Sequence, residues 1–420
     1  MAERPWRWIT RCGCWYYSFT FLSVLLIGTL GCKKPALQTK MEPAVAPQGA
    51  KAQGPPSGAA ELGESAATPG GKSEGQVGPT KSAAEAAAQI LPGPSLKKPE
   101  LLLALPEAFC NTPDAMCLLP DGHVLLSVPN FNNPAQPPVI MKIFPDNRAE
   151  VFLQLPDNPS TGKPFGPMGI CVAPNGDLFL ADNQREHPRK SRVCRIRMKN
   201  GLPVEIGPAV EGFNIANAVL CHNGYLYVTD TQIDANRYPA LSGVFRFPLA
   251  QLDEAVTVLA EELLHDPHLV AVIETFDKTM PLGADGLCVD EDGNLYVGNV
   301  YDGTVHRIRF DAEGKVIANE VFAKSENMKS ADGLFYDAKR KVIYVADPRA
   351  NAVHCVHLDG RVETLAQNGD TDGRDGSLDM PVEVLVRGNE LIISNMDWPM
   401  TGCLNSTFDL PATLSVIRLD

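Results

Sequence analysis

From Leu101 onward one hydrophobic–polar pattern recurs: a short apolar run, a tight turn, a second apolar run rich in β-branched and aromatic residues, then polar–apolar alternation. The clearest copy is Gly283–Asn299, reading GADGLCVDEDGNLYVGN. Leu287-Cys288-Val289 form its first strand. Asp290–Gly293 supply the turn, because Asp and Gly tolerate the positive φ of hairpin turns, and Leu295-Tyr296-Val297 form the second strand. Further copies begin at Pro113-Asp114, Pro167-Met168, Ala216-Asn217, Ala331-Asp332 and Pro381-Val382, at intervals of roughly 50 residues. Each pair is followed by an alternating third strand, such as Thr304–Ile308 or Ala352–Val356, and by a segment fit for a fourth, such as Val362–Leu365. Six such sets predict an all-β protein, a six-bladed β-propeller with four-stranded blades. A stacked β-helix would need far shorter repeats. Thr413–Leu419 reads as the last third strand, so the segment near Leu101 is expected to complete blade six. The stretch from Gln251 to Pro281 reads as an insertion between blades three and four. Within it Leu252–Leu264 has a helical pattern, either a lid or a surface elaboration.

In a propeller the first strands line the central axis, so equivalent positions form a ring. Aligning the six copies places Asp114, Met168, Asn217, Asp285, Asp332 and Val382 on it. Asp114, Met168 and Asp285 each precede their turn glycine by eight residues, which supports the register. Three aspartates and an asparagine aimed at one axis would repel one another or take up protons unless a cation neutralised them. All-oxygen ligation of that kind suits a hard ion, Ca²⁺ first. The plainer reading has each Asp-Gly pair capping its own strand through backbone amides. Asp182, Asp230 and Asp347, with Asn299 and Asn395, recur at the ends of second strands and read as structural. His306 and His354 fall in third strands, away from the axis. No nucleophile elbow, phosphate loop or HExxH helix is present.

The ends of the chain change the picture. Residues 1–31 look like an export signal, with Arg4, Arg7 and Arg11 ahead of the apolar run Phe19–Leu30. Thr29-Leu30-Gly31-Cys32 is similar to a bacterial lipoprotein cleavage site, which makes Cys32 the expected lipidation site; an uncleaved anchor helix is the other reading. Residues 32–98 are rich in Ala, Pro, Gly, Ser, Lys and Glu and nearly free of aromatics, as expected of a disordered spacer. The propeller occupies 99–420. These features predict an exported cell-envelope lipoprotein, periplasmic or on the outer surface, whose membrane partner is its own lipid anchor. A net charge of −13 argues against nucleic acid and suits a protein that holds cations. Of eleven cysteines, Cys117, Cys171 and Cys288 each lie three residues after a ring position, where a small buried thiol belongs. Cys110 with Cys403 is the pair left for any disulfide.

The block Ala284-Asp285-Gly286-Leu287 … Asp292-Gly293-Asn294-Leu295-Tyr296-Val297 resembles the senescence-marker-protein/gluconolactonase family and its relative diisopropyl fluorophosphatase, over about 101–420. The resemblance implies a six-bladed propeller with an axial divalent cation, often Ca²⁺, that hydrolyses lactones or related esters. It implies that Asp114, Asn217 and Asp285 hold the metal, and that Asp285 is also base or nucleophile toward a small-molecule substrate; Asp332, by the ring register alone, is the other candidate base. Met168 replaces the family's second-blade asparagine, a metal or substrate contact; Met168 and Asn299 are assigned to the substrate side. The alternative function is a tethered, non-catalytic propeller that binds a protein or carbohydrate, which the apolar ring positions Met168 and Val382 favour.

Overall fold

The computed structural model describes residues 96–400 and 402–420. The expected export signal, Cys32 and nearly all of the expected spacer lie outside the described residues. Six antiparallel sheets follow one another along the chain, as the repeat predicts. Blade 1 comprises Met116–Leu118, Val124–Val128, Val139–Ile143 and Ala149–Gln154. The first strands of blades 2 to 6 are Pro167–Val172, Ala216–His222, Ala284–Val289, Leu334–Asp337 and Pro381–Arg387. Blade 6 is completed by Glu100–Ala104, which pairs antiparallel with Thr413–Arg418, so strands from both ends of the described chain share a sheet.

The turns form where positive φ is available. Gly122, Gly176 and Gly293 adopt φ of 85°, 87° and 80° at the hairpins between first and second strands of blades 1, 2 and 4. Blade 3 turns through Asn223 and Gly224, both at positive φ, as a two-residue hairpin requires.

The core lies between neighbouring blades. Tyr227 and Val244 of blade 3 pack with Leu287, Leu295 and Val297 of blade 4. At the closing seam, Met116, Val124 and Leu126 of blade 1 pack with Leu385, Ile392 and Leu414 of blade 6.

The insertion reading needs correction. Leu249–Glu254 is a helix of six residues only, and Leu269–Thr275 is the regular fourth strand of blade 3. Between them Thr257–Val258 pairs in parallel with Leu202–Phe213 and gives blade 2 a fifth strand. Much of the stretch is therefore sheet, and no lid is built. The helical pattern fails because Leu252 is the helix's one buried residue and the chain leaves the helix at Ala255, in extended conformation.

Candidate functional site

The second-strand carboxylates fix where the ring residues sit. Asp182, fully buried, accepts from the Gly166 N–H at 3.0 Å, two residues ahead of Met168. Asp230 accepts from the Asn214 and Ile215 N–H groups at 2.8 and 2.9 Å, just ahead of Asn217. Asp347 accepts from the Lys329 N–H at 2.6 Å and from the Ser330 hydroxyl at 2.5 Å, ahead of Asp332. Buried Arg192 at 2.8 Å also pairs with Asp182, and His354 at 3.0 Å with Asp347. These carboxylates hold the entry to the first strand. In blade 6 the Asn395 amide oxygen does the same for the Asp379 N–H at 3.1 Å.

Just past these clamps, ladder register shifts by one residue in blades 2, 3, 4 and 6, between Pro167/Ile170, Ala216/Val219, Ala284/Leu287 and Pro381/Glu383. The unpaired residue of such a bulge can point a side chain out of the ladder. The residues one beyond the ring positions are Ala115, Gly169, Ala218, Gly286, Gly333 and Glu383. Small residues are needed there because neighbouring inner strands nearly touch: a Cβ on Gly286 would stand 2.2 Å from the Asp332 carbonyl oxygen. Glu383 breaks that rule, and its Oε1 lies 2.3 Å from where a Gly333 Cβ would be. The Glu383 carboxylate accepts from the Val384 N–H at 2.9 Å, and the Met116 N–H across the seam also holds it.

The axis therefore gathers four carboxylates, Asp114, Asp285, Asp332 and Glu383. Alignment had placed Val382 on the ring; Val382 is 3% exposed, and its neighbour Glu383 supplies the functional group. A charged residue in a column of glycine and alanine was the signal in the sequence that could have found it. Asp114 and Asp285 are buried, whereas Asp332 and Glu383 are partly exposed. Asn217 donates its amide to Asp285 Oδ2 at 2.8 Å, joining blades 3 and 4. Met168 belongs to an apolar cluster with Phe179 and Phe213, against which Phe131 packs. Asn299 is fully buried; its amide donates to the Glu274 carbonyl at 2.9 Å and its oxygen accepts from Thr275, so those contacts engage both ends of its side chain.

Burial dominates the electrostatics of the ring. It pushes the Asp114 carboxyl up to about 7. Burial, followed by the charges of Asp114 and Glu383, holds Asp285 well above the usual carboxylate range. Asp332 is raised by burial and then by Asp285, Asp114 and Asp347; Glu383 by burial and then by Asp114 and Asp332. The set is mutually repulsive when charged, so near neutral pH it either holds protons or takes up a cation. The donor chemistry, carboxylates with one amide, fits a hard cation. Among the described residues, however, no three acidic, histidine or cysteine side chains stand arranged to hold a metal ion.

Two cavities flank the axis at opposite ends. One of about 290 Å³ opens on the face where first strands begin, among the loops that follow second strands; Phe131, Gln184, Arg185 and Trp398 line it. There the Arg185 guanidinium lies 4.6 Å over the Trp398 ring, and Phe131 stands 4.9 Å from the same ring. A roomier cavity of about 630 Å³ opens at the other end, by the first hairpins of blades 1 to 3. None of the four carboxylates lines either cavity.

No family model and no curated protein matches this chain. Solved structures do. A luciferin-regenerating enzyme aligns with 77% of this chain and 97% of its own, at 11% identity and a TM-score of 0.54. A protein described as an oxidoreductase (glucose dehydrogenase) from Thermus thermophilus aligns over 77% and 100%, at 15% identity and 0.52. A gluconolactonase from Xanthomonas campestris aligns over 78% and 98%, at 14% identity and 0.48. At such identities the likeness is one of architecture, and the chain is a six-bladed β-propeller of the same build as the first two.

Proposed function

We propose that the protein is a divalent-cation-dependent hydrolase of a lactone or related ester, with Ca²⁺ the expected ion. One observation carries this reading: four carboxylates are gathered at one end of the propeller axis although burial pushes every one of them toward its neutral form. Such a cluster is costly to keep without a ligand that offsets it. Asp114, Asn217 and Asp285 would hold the ion. When bound, it would polarise the ester carbonyl and stabilise the developing oxyanion. Asp332, raised first by burial and then by the charges of Asp285, Asp114 and Asp347, is the carboxyl suited to take a proton from water. Asn217 keeps Asp285 oriented through its 2.8 Å hydrogen bond. Phe131 and Trp398 offer a substrate a flat apolar wall with Arg185 and Lys163 beside it, and Met168 lies in the adjoining apolar cluster. The sequence of residues 1–32 supports export and tethering through lipid at Cys32.

A non-catalytic binding propeller is the second reading. It is favoured by the fact that no three acidic, histidine or cysteine side chains among the described residues stand ready to hold an ion. Calorimetric titration with Ca²⁺ and a lactone panel followed by pH-stat separate the two. Wild type is expected to bind one Ca²⁺ and turn over at least one lactone. Asp285→Asn should weaken the ion at least 100-fold and abolish turnover. Undiminished turnover in that variant would overturn the hydrolase mechanism, and wild type that binds no divalent ion would leave the binding module.

A further inference from the structure

Away from the carboxylates, two thiols face each other across a blade boundary. Cys171 lies in the first strand of blade 2 and Cys221 in that of blade 3, with their sulfurs 3.2 Å apart. The backbones beneath them are also close, since a Cβ on Gly169 would stand 2.7 Å from the Ala218 Cα. Repeat geometry brings the pair together, because innermost strands of consecutive blades run side by side. Cys171 is 7% exposed, whereas Cys221 is partly exposed and lies on the wall of the 630 Å³ cavity with His222 and Asn223. One thiol is thus reachable from solvent and the other waits behind it. That division of labour suits disulfide exchange, in which an accessible thiol is attacked first and a neighbour resolves the adduct. Cys110 and Cys403, the pair left for any disulfide, are free thiols: Cys110 is fully buried beside Thr112, ahead of blade 1, and Cys403 lies near Arg349, Asp332 and Asp347.

We propose that Cys171 and Cys221 are a disulfide-forming pair that cross-links the innermost strands of blades 2 and 3 when a small disulfide enters the cavity. The Cys221 thiolate attacks one sulfur of the incoming disulfide, for which oxidised glutathione serves as probe, and expels one glutathione as leaving thiolate. The Cys171 thiolate then attacks the Cys221 sulfur and expels the second. Two protein thiols are oxidised, one glutathione disulfide is reduced, and the two protons leave on the two released glutathiones. The bond closes a loop spanning 50 residues and ties together the strands that carry Met168 and Asn217. Cys117 is the competing thiol, because it packs against the same apolar cluster as Val172, the neighbour of Cys171. The proposal does not rest on the hydrolase reading.

The test uses the full chain, reduced, desalted and exposed to oxidised glutathione. Remaining thiols are alkylated and peptides mapped by mass spectrometry without reduction; trypsin cuts between the two cysteines, at Arg185 among other places. Expected is the loss of two alkylatable thiols, a peptide pair joined through Cys171 and Cys221, and a Tm rise of about 5 °C that dithiothreitol reverses. Cys117→Ser should leave the cross-link intact. Cys171→Ser should stop at a glutathione adduct on Cys221. Wild type needs no substitution to fold, so its map decides the matter alone: no oxidation, a lasting glutathione adduct without a cross-link, or linkage through Cys117 would each overturn the proposal.

Discussion

Asp379 and Asp397 are buried side by side in blade 6, outside the axial ring. Asp379 is 1% exposed and takes a hydrogen bond from the Asn405 amide, while Asp397 accepts from the Asp409 N–H at 2.5 Å. Burial, and then the charge of Asp397, pushes Asp379 up to about 8. Burial, and then the charges of Asp409 and Asp370, pushes Asp397 up to about 7. A carboxyl whose folded-state value lies above the ordinary value near 3.9 stabilises the fold fully below that value. It loses the stabilisation as pH rises through the folded value. Asp379 should therefore weaken the protein between about pH 4 and 8. Asp230, raised to about 6, and Asp114 add to the same slope. Asp379→Asn isolates one share, since the amide keeps the neutral shape and its oxygen can still accept from Asn405. Wild type and variant should have equal Tm near pH 3, below the ordinary carboxyl value. By pH 9 the variant should be more stable by about 2 kcal/mol, which is deliberately less than the roughly 1.4 kcal/mol per displaced unit would give. Calorimetric melts across that range check it, and a variant less stable than wild type at pH 9 would refute the buried-charge account. Nothing in the sequence marked Asp379. It lies outside the repeated strand–turn–strand unit, and its burial depends on a loop that returns from residues 405–409.

Between one element and the next, the governing fact is how closely the inner strands approach. The glycine of Asp285-Gly286 reads in sequence as turn or cap chemistry, yet its φ is not positive, and its role is clearance. A Cβ there would meet the Asp332 carbonyl oxygen at 2.2 Å and the Gly333 Cα at 2.8 Å, both backbone atoms that cannot rotate away. Gly286→Ala should therefore cost about 3 kcal/mol or more, the upper end of overpacking penalties, and should also displace Asp285 and Asp332. Denaturant melts read the first effect and Ca²⁺ calorimetry the second; an alanine variant of unchanged stability would mean that the strands are farther apart. The same crowding explains what could be read of the site. Asp114, Asn217, Asp285 and Asp332 were legible because each begins a copy of the repeat, and register alone brings them to one axis. Glu383 was not, because alignment by strand start selects Val382. Only the bulge between Pro381 and Glu383 shows that the next side chain takes the place beside the axis. Met168 was legible as a departure from the asparagine pattern, although its packing among Phe179 and Phe213 was not. The facing of Cys171 and Cys221 depends on the spacing between blades, which a linear sequence does not encode.

For the molecule as a whole, the ring of blades holds only if its ends meet. The repeat count predicted a sixth blade short of one strand, and the chain supplies it from the beginning: Glu100 pairs with Val416 and Ala104 with Thr413. Leu102 and Leu103 pack against the cluster that seals blades 6 and 1, Leu105 is 1% exposed, and the Leu105 N–H donates to the Ala412 carbonyl at 2.8 Å. Burying three leucine side chains contributes about 4 kcal/mol or more, and closure also covers the edge of Thr413–Arg418. Two deletions separate closure from tethering. Removing residues 1–95 takes away the proposed export signal, Cys32 and the proposed spacer but spares Lys97, whose ammonium reaches Asp420 at 2.8 Å. That protein should melt within a degree or two of the full chain and bind Ca²⁺ equally well. Removing residues 1–105 should leave blade 6 with three strands and an open edge, lower the melting temperature by about 10 °C or more, and promote association through that edge in size-exclusion chromatography. The carboxylates lie on first strands or just ahead of them, in segments that both deletions retain, so loss of Ca²⁺ binding in the longer deletion alone would show that the site depends on the closed ring. If both deletions melted alike, the amino-terminal strand would not be what closes the propeller.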